Sequence, residues 1–255
     1  MKTPYVLVVV PARMASTRFP GKPLAKIEGL SMVEHVRRRV KLCPLVDDVI
    51  VATCDPEIVA DTTAHGGRAV MTASTHERCT DRVAEAAASE TADIIVNVQG
   101  DEPLLSPDML EAVIRPMLDD PALPCANLIS PIAEMDGENP NLVKVTFDRS
   151  MHALYFSREP IPSRKKAGKL PMQRYKQLGI IAFRRDCLSA YTKLAPTPLE
   201  ELESVDMLRL LEHGHRIKFV SVNSNSIGVD TPQDLAKAIE LMRADPWLSH
   251  YLTGK

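Results

Sequence analysis

Long apolar runs are missing: no segment approaches the ~18 consecutive apolar residues that a membrane-spanning helix needs. Aromatic residues make up only 4% of the 255, and they are not interleaved with basic ones. With a net charge of −2, the chain has neither the basic field nor the stacking platform of a nucleic-acid binder. An anionic membrane surface is not attracted for the same reason. No CxxC occurs: Cys43, Cys54, Cys79, Cys125 and Cys187 are odd in number and widely spaced. That pattern argues against a disulfide framework or a zinc site and for reduced thiols in a cytoplasm. There is no GxGxxG, and no Walker loop either, because Pro23 stands where Ser or Thr should follow Gly21-Lys22.

What is present is ordinary globular material, 45% hydrophobic and 25% charged, long enough for a sizeable core. The apolar run 5–10 (YVLVVV) leads into charged residues with no small-residue cleavage pattern, so it reads as a buried strand rather than a signal peptide. Periodicity predicts helix over 31–42, strand 48–53, helix from Asp55-Pro56 to Gly66-Gly67, strand 68–72, helix 80–89 and strand 92–99. Short connections between alternating strands and helices predict an α/β fold, a doubly wound, mostly parallel Rossmann-like sheet. Past about residue 130 the rhythm changes. Strands are expected at 142–148, 152–157 and 175–183, a helix over 199–214, a strand near 216–222 and a closing helix over 231–245 with Thr231 as N-cap. The chain therefore reads as a single domain, 1–255, with an antiparallel insertion subdomain at approximately 131–200.

The loop PARMASTRFPGKPL (11–24) follows the first strand and is the strongest local signal. Arg13, Arg18 and Lys22 supply cations there, Gly21 offers close backbone approach, and Pro11, Pro20 and Pro23 reduce the entropy lost on ordering. Backbone N–H groups in such a turn suit an anion, so the loop is a candidate phosphate site. Asp101, in QGDEP, also stands at the carboxyl end of a strand, where parallel sheets bind ligands. The basic runs 37–39 and 164–166 are expected to be a solvated helix face and a loop.

With these residues, and with VNVQGDEPL (96–104), VKVTFD, ALYFSREPIP (153–162), ESVDMLR (203–209) and GVDTPQDL (228–235) in matching order, the sequence resembles the CMP-Kdo synthetases, the 3-deoxy-manno-octulosonate (Kdo) cytidylyltransferases. The resemblance implies transfer of a cytidylyl group from CTP to an acidic sugar in cell-envelope (lipopolysaccharide) metabolism, with release of pyrophosphate. It implies a Mg2+ held by Asp101 and Asp230, and Arg13 and Lys22 on the triphosphate. Pro11, Ala12, Gln99 and Thr80 are then nucleotide contacts. Arg78, Arg158, Gln177, Glu203, Asp206 and Met207 are then acceptor contacts, Arg158 meeting the acceptor carboxylate, for which a guanidinium fork is apt. The insertion would serve acceptor binding and the interface of a homodimer.

The chain departs from the family pattern on the acceptor side. Arg78 and Cys79 stand for Ser and Gly, Gln177 for His, Ile181 for Tyr, and Asp206-Met207 for Glu-Gln; Ala73 replaces an Arg near the base. A divergent acceptor pocket follows, with a different anionic acceptor (another ulosonic acid, a sugar phosphate or a phosphonate) as the alternative to Kdo. Nucleotide binding without catalysis is a further alternative, which the paired metal carboxylates argue against. Cys79 precedes a helix and is expected to pack or line the pocket rather than react, and His76 is assigned no role.

Overall fold

The computed structural model describes residues 3–16, 18–224 and 226–252. In chain order the strands are β1 (Val6–Pro11), β2 (Lys26–Ile27), β3 (Leu30–Ser31), β4 (Asp48–Thr53), β5 (Arg68–Met71), β6 (Ile94–Val98), β7 (Cys125–Ile132), β8 (Lys144–Phe147), β9 (Ala153–Ser157), β10 (Arg174–Arg184) and β11 (Lys218–Ser221). The helices are α1 (Met32–Val40), α2 (Pro56–Ala64), α3 (Cys79–Ala87), α4 (Pro107–Asp119), α5 (Arg185–Tyr191), α6 (Pro198–Glu203), α7 (Met207–Glu212), α8 (Pro232–Arg243) and α9 (Leu248–Leu252).

The main sheet runs β11-β7-β10-β6-β1-β4-β5. β1 pairs in parallel with β4 and β6, β4 with β5, and β7 with β11. β10 alone on this path runs against its neighbours, β6 and β7. The sheet is thus mostly parallel, as the alternating pattern predicts. Every residue of β1 is buried, because helices cover both faces. Val6, Val8 and Val10 pack with Val33 and Val36 of α1 and Leu110 of α4, while Leu7 and Val9 pack with Val83 and Ala86 of α3. Alternation across the pleat divides one apolar run between two cores.

Several expectations need correction. α4 and β7 have no counterpart in the periodicity reading, although α4 opens with Ser106 capping the Met109 N–H and with Pro107 in its first turn. The helix expected over 199–214 is two helices. Ser204 sits at φ 51°, and this left-handed residue ends α6 and redirects the chain. The break turns Val205 and Met207 into the core and carries Asp206 to the start of α3. The 37–39 run is not a solvated face. Arg37 and Arg39 are buried, Arg37 forking onto Glu34 and Arg39 pairing with Asp245.

Within 131–200, β8 and β9 form an antiparallel pair attached to β10. β10 itself lies in the body of the main sheet, so that segment is woven into the core rather than appended to it.

Candidate active site

The loop after β1 is pinned to the sheet by backbone bonds. Ala12 N–H donates to the Ala52 carbonyl at 2.9 Å, and Met14 N–H to the Asp55 carboxylate at 2.7 Å. Asp55 occupies the N-cap position of α2, as expected, but its side chain makes no cap bond to that helix; it holds the loop instead. Gly21 is required for its φ of 71° rather than for close approach, since an added Cβ would meet only Met14 Cε, at 3.6 Å. The close approach falls at Gly100, where a Cβ would lie 2.9 Å from the Pro11 carbonyl oxygen. This glycine lets the loops after β1 and β6 meet.

Two adjoining cavities, of about 380 and 430 Å3, open at this end of the sheet. The first is lined by Pro11, Ala12, Arg13, Arg18, Lys22 and Arg78, and the second by Arg158, Lys176, Gln177, Ile181 and Met207. Cys79, Gln99, Asp101, Ser204, Asp206 and Asp230 line both and form the seam.

At the seam the Lys22 ammonium donates to Asp101 Oδ2 at 2.6 Å, to Asp230 Oδ1 at 3.1 Å and to the Val229 carbonyl at 3.0 Å. Burial works against this charge, but the two carboxylates outweigh it and hold the Lys22 pKa above the usual lysine value. Arg18 also reaches Asp230, at 3.0 Å. The aspartates, 129 positions apart, are joined through the Val229 N–H, which donates to the Asp101 carbonyl at 2.9 Å. Asp230 is set by the start of α8, where the Asp234 carboxylate accepts from the N–H groups of Asp230 and Thr231. Both carboxylates thus face one cation, the Lys22 ammonium. Among the described residues no group of three or more His, Cys, Asp or Glu side chains could hold a metal. A divalent ion here would therefore need phosphate oxygens and water to complete its shell, which is the habit of Mg2+. Arg13 is exposed at the mouth of the first cavity and has no ion-pair partner among the described residues.

Thr80, expected at the nucleotide, is fully buried and lines neither cavity. Its N–H and hydroxyl donate to Asp206 Oδ2 at 3.1 and 2.8 Å. Arg78, at the N-cap of α3, makes no cap bond, so Asp206 caps the helix from outside. Asp206→Ala should cost about 1–2 kcal/mol in urea unfolding, the usual loss for a helix cap; a change under ~0.5 kcal/mol would refute this role. Arg78, expected at the acceptor, lines the first cavity and donates to Ser204 Oγ at 2.8 Å. Glu203 lines neither cavity. Its carboxylate accepts from Ser157 Oγ at 2.7 Å and from the Arg158 N–H at 2.8 Å. It orders the segment that carries Arg158, whose own Nε donates to the Glu203 carbonyl at 2.7 Å.

Cys79 Sγ lies between the Gln99 amide, which donates to it at 2.9 Å, and Asp206 Oδ2 at 3.3 Å. Burial, followed by the Asp206 charge, drives the thiol pKa far above its usual value, overriding the helix terminus. It is a packing thiol, not a nucleophile. His76 lines the first cavity, paired with Glu85.

The sequence reading misses Glu102. It is buried at the edge of the second cavity, accepts from Ser226 Oγ at 2.8 Å, and has its pKa raised by burial and by Asp101. Its position beside Asp101 in QGDEP was the available signal. Arg82, buried at the first cavity and bonded to Thr72, has no such signal.

Comparison with known proteins agrees with this geometry. The family described as Cytidylyltransferase matches residues 7–217. The 3-deoxy-manno-octulosonate cytidylyltransferase of Geobacter metallireducens is 48% identical, over 92% of this chain and 96% of its own. That of Pelobacter propionicus is 49% identical, over 94% and 98%. A solved CMP:2-keto-3-deoxy-manno-octonic acid synthetase complexed with CTP is 42% identical, superposes with a TM-score of 0.89, and is covered over 99% of its length by 94% of this chain. With a loop of cations, paired aspartates and a second cavity holding Arg158 at one end of the sheet, the chain belongs to the cytidylyltransferase family, among the 3-deoxy-manno-octulosonate cytidylyltransferases.

Proposed function

We propose that this chain transfers the cytidylyl group of CTP to Kdo, giving CMP-Kdo and pyrophosphate. The observation that carries the reading is the seam: Asp101 and Asp230, bridged by one ammonium, stand where a cation-lined cavity meets one holding Arg158. The first cavity suits a triphosphate and the second an acidic sugar. An anomeric hydroxyl oxygen of the acceptor attacks the α-phosphorus. The bond from that phosphorus to the bridging oxygen breaks, pyrophosphate departs with the electron pair, and the hydroxyl proton passes to solvent. No enzyme nucleophile is required, so the protein's work is positioning and charge neutralisation. Arg13, Arg18 and Lys22 balance the charge of the leaving group. Arg158 holds the acceptor carboxylate, and Gln99 lies between the two substrates. A Mg2+ on Asp101 and Asp230 would polarise the phosphoryl oxygens.

Pyrophosphate release from CTP, Mg2+ and Kdo is the test. Release that needs Kdo and that EDTA abolishes is the expected result. Release only with another acidic acceptor would establish the second reading, which Ile181 and Met207 favour as apolar lining of the second cavity. CTP binding without release from any acceptor would overturn both.

The reading includes a homodimer. Among the described residues β9 pairs along its length with β8 alone, Ala153 at its start bonding to the Ile217 carbonyl at 2.9 Å, and Leu154 on it is 62% exposed. It also includes a cytoplasmic setting, which the five free cysteines suit. No helix among the described residues is long and apolar enough to cross a membrane.

A further inference from the structure

Lys144 is a wholly buried lysine, 0% exposed, in the first position of β8. Its ammonium makes no salt bridge among the described residues. It donates to the Asn139 carbonyl at 2.8 Å, to the Leu142 carbonyl at 2.9 Å and to the Arg158 carbonyl. An ammonium has three N–H donors, and here each has a main-chain acceptor. Burial lowers the pKa of this group, so the site pays desolvation to keep a cation where an apolar side chain would pack without it. A purely structural position would not require that.

The three acceptors show what the cation does. Asn139, Leu142 and Arg158 all line the second cavity, which Lys144 itself does not line. The segments are also tied in front, where Arg158 Nη1 donates to the Pro140 carbonyl at 3.1 Å. Behind them, β8 and β9 are in register, with Lys144 opposite Ser157. We propose that Lys144 is a positioning residue for the acceptor: its ammonium gathers the carbonyls of Asn139, Leu142 and Arg158 and so fixes the Arg158 guanidinium at the distance an acidic sugar's carboxylate requires. This rests on the reading of Arg158 as the acceptor's carboxylate contact. Lys144 touches no substrate and acts through the backbone of the residue that does. Loose placement of such a contact weakens acceptor binding before it affects the nucleotide.

The test is a kinetic cycle of Lys144→Met, Arg158→Met and the double variant, with KM measured separately for Kdo and for CTP. Lys144→Met should raise KM for Kdo about tenfold or more and leave KM for CTP within about twofold. The double variant should bind Kdo no worse than Arg158→Met alone, because the two act as a unit. Lys144→Gln keeps two donors and should fall between wild type and Lys144→Met; it serves the same comparison if the Met variant does not fold. A parallel rise in both KM values, or additive losses in the double variant, would overturn the inference. If Arg158→Met leaves KM for Kdo unchanged, the reading of Arg158 fails instead, and the two failures are thereby told apart.

Discussion

Asp101→Asn should reduce the rate of pyrophosphate release about 1,000-fold, several kcal/mol of transition-state stabilisation, with CTP affinity changed far less. The substitution preserves size and leaves a carbonyl oxygen for the Lys22 ammonium, now 2.6 Å from Asp101 Oδ2. What disappears is one of the two negative charges that the Lys22 ammonium bridges. Charge on the transferring phosphoryl group must be met by a cation, and that cation must be held by the protein. Asp230→Asn should have a comparable effect. On the proposed reading, in which both would hold one ion, the double variant should be little worse than either single one. Circular dichroism and thermal unfolding should show a native fold in each. A loss smaller than about tenfold in both single variants would remove these aspartates from the chemistry.

The second large effect is expected far from the seam. Arg39→Met should lower stability to guanidinium unfolding by about 3–5 kcal/mol, the cost of removing one partner of a buried ion pair. Arg39 is 0% exposed. Its guanidinium meets Asp245 at 2.9 Å, the Tyr251 hydroxyl at 3.0 Å and the Leu105 carbonyl at 3.0 Å. Met fills much of the volume but takes the guanidinium from the Leu105 carbonyl and from Asp245, which keeps the Trp247 N–H at 2.8 Å. The loss falls on the end of α8, the helix whose beginning sets Asp230. A change below about 1 kcal/mol would mean that water replaces the guanidinium without cost.

Arg39 also shows where local pattern stops being informative. Its partner Asp245 lies 206 positions away, and a run of three arginines on a helix looks like a solvated face until the chain returns to cover it. The strands β1, β4 and β6 were legible because burial on both faces leaves an apolar run that local reading detects. The break at Ser204 was not, since a left-handed φ in a serine has no signature in hydrophobic period. The site divides the same way. Asp101 and Lys22 declare themselves as charged residues in the loops that follow strands. The bonds of Thr80 to Asp206, and of Glu203 to Arg158, depend on that unread break and could not be anticipated from spacing. The corrected roles of Thr80 and Glu203, and the place of Arg78 in the first cavity, follow from that single turn.

The reversed strand β10 has a mechanical consequence. It pairs with β6 only from Ile180 to Arg184; the stretch before that overruns the end of β6 and is held by β7 and β8. Gln177 and Lys176, which line the second cavity, are therefore carried on the strand that spans the middle of the core, beyond a register shift that separates Gln177 from Ile181. Opening that side would mean unzipping a strand from its neighbours.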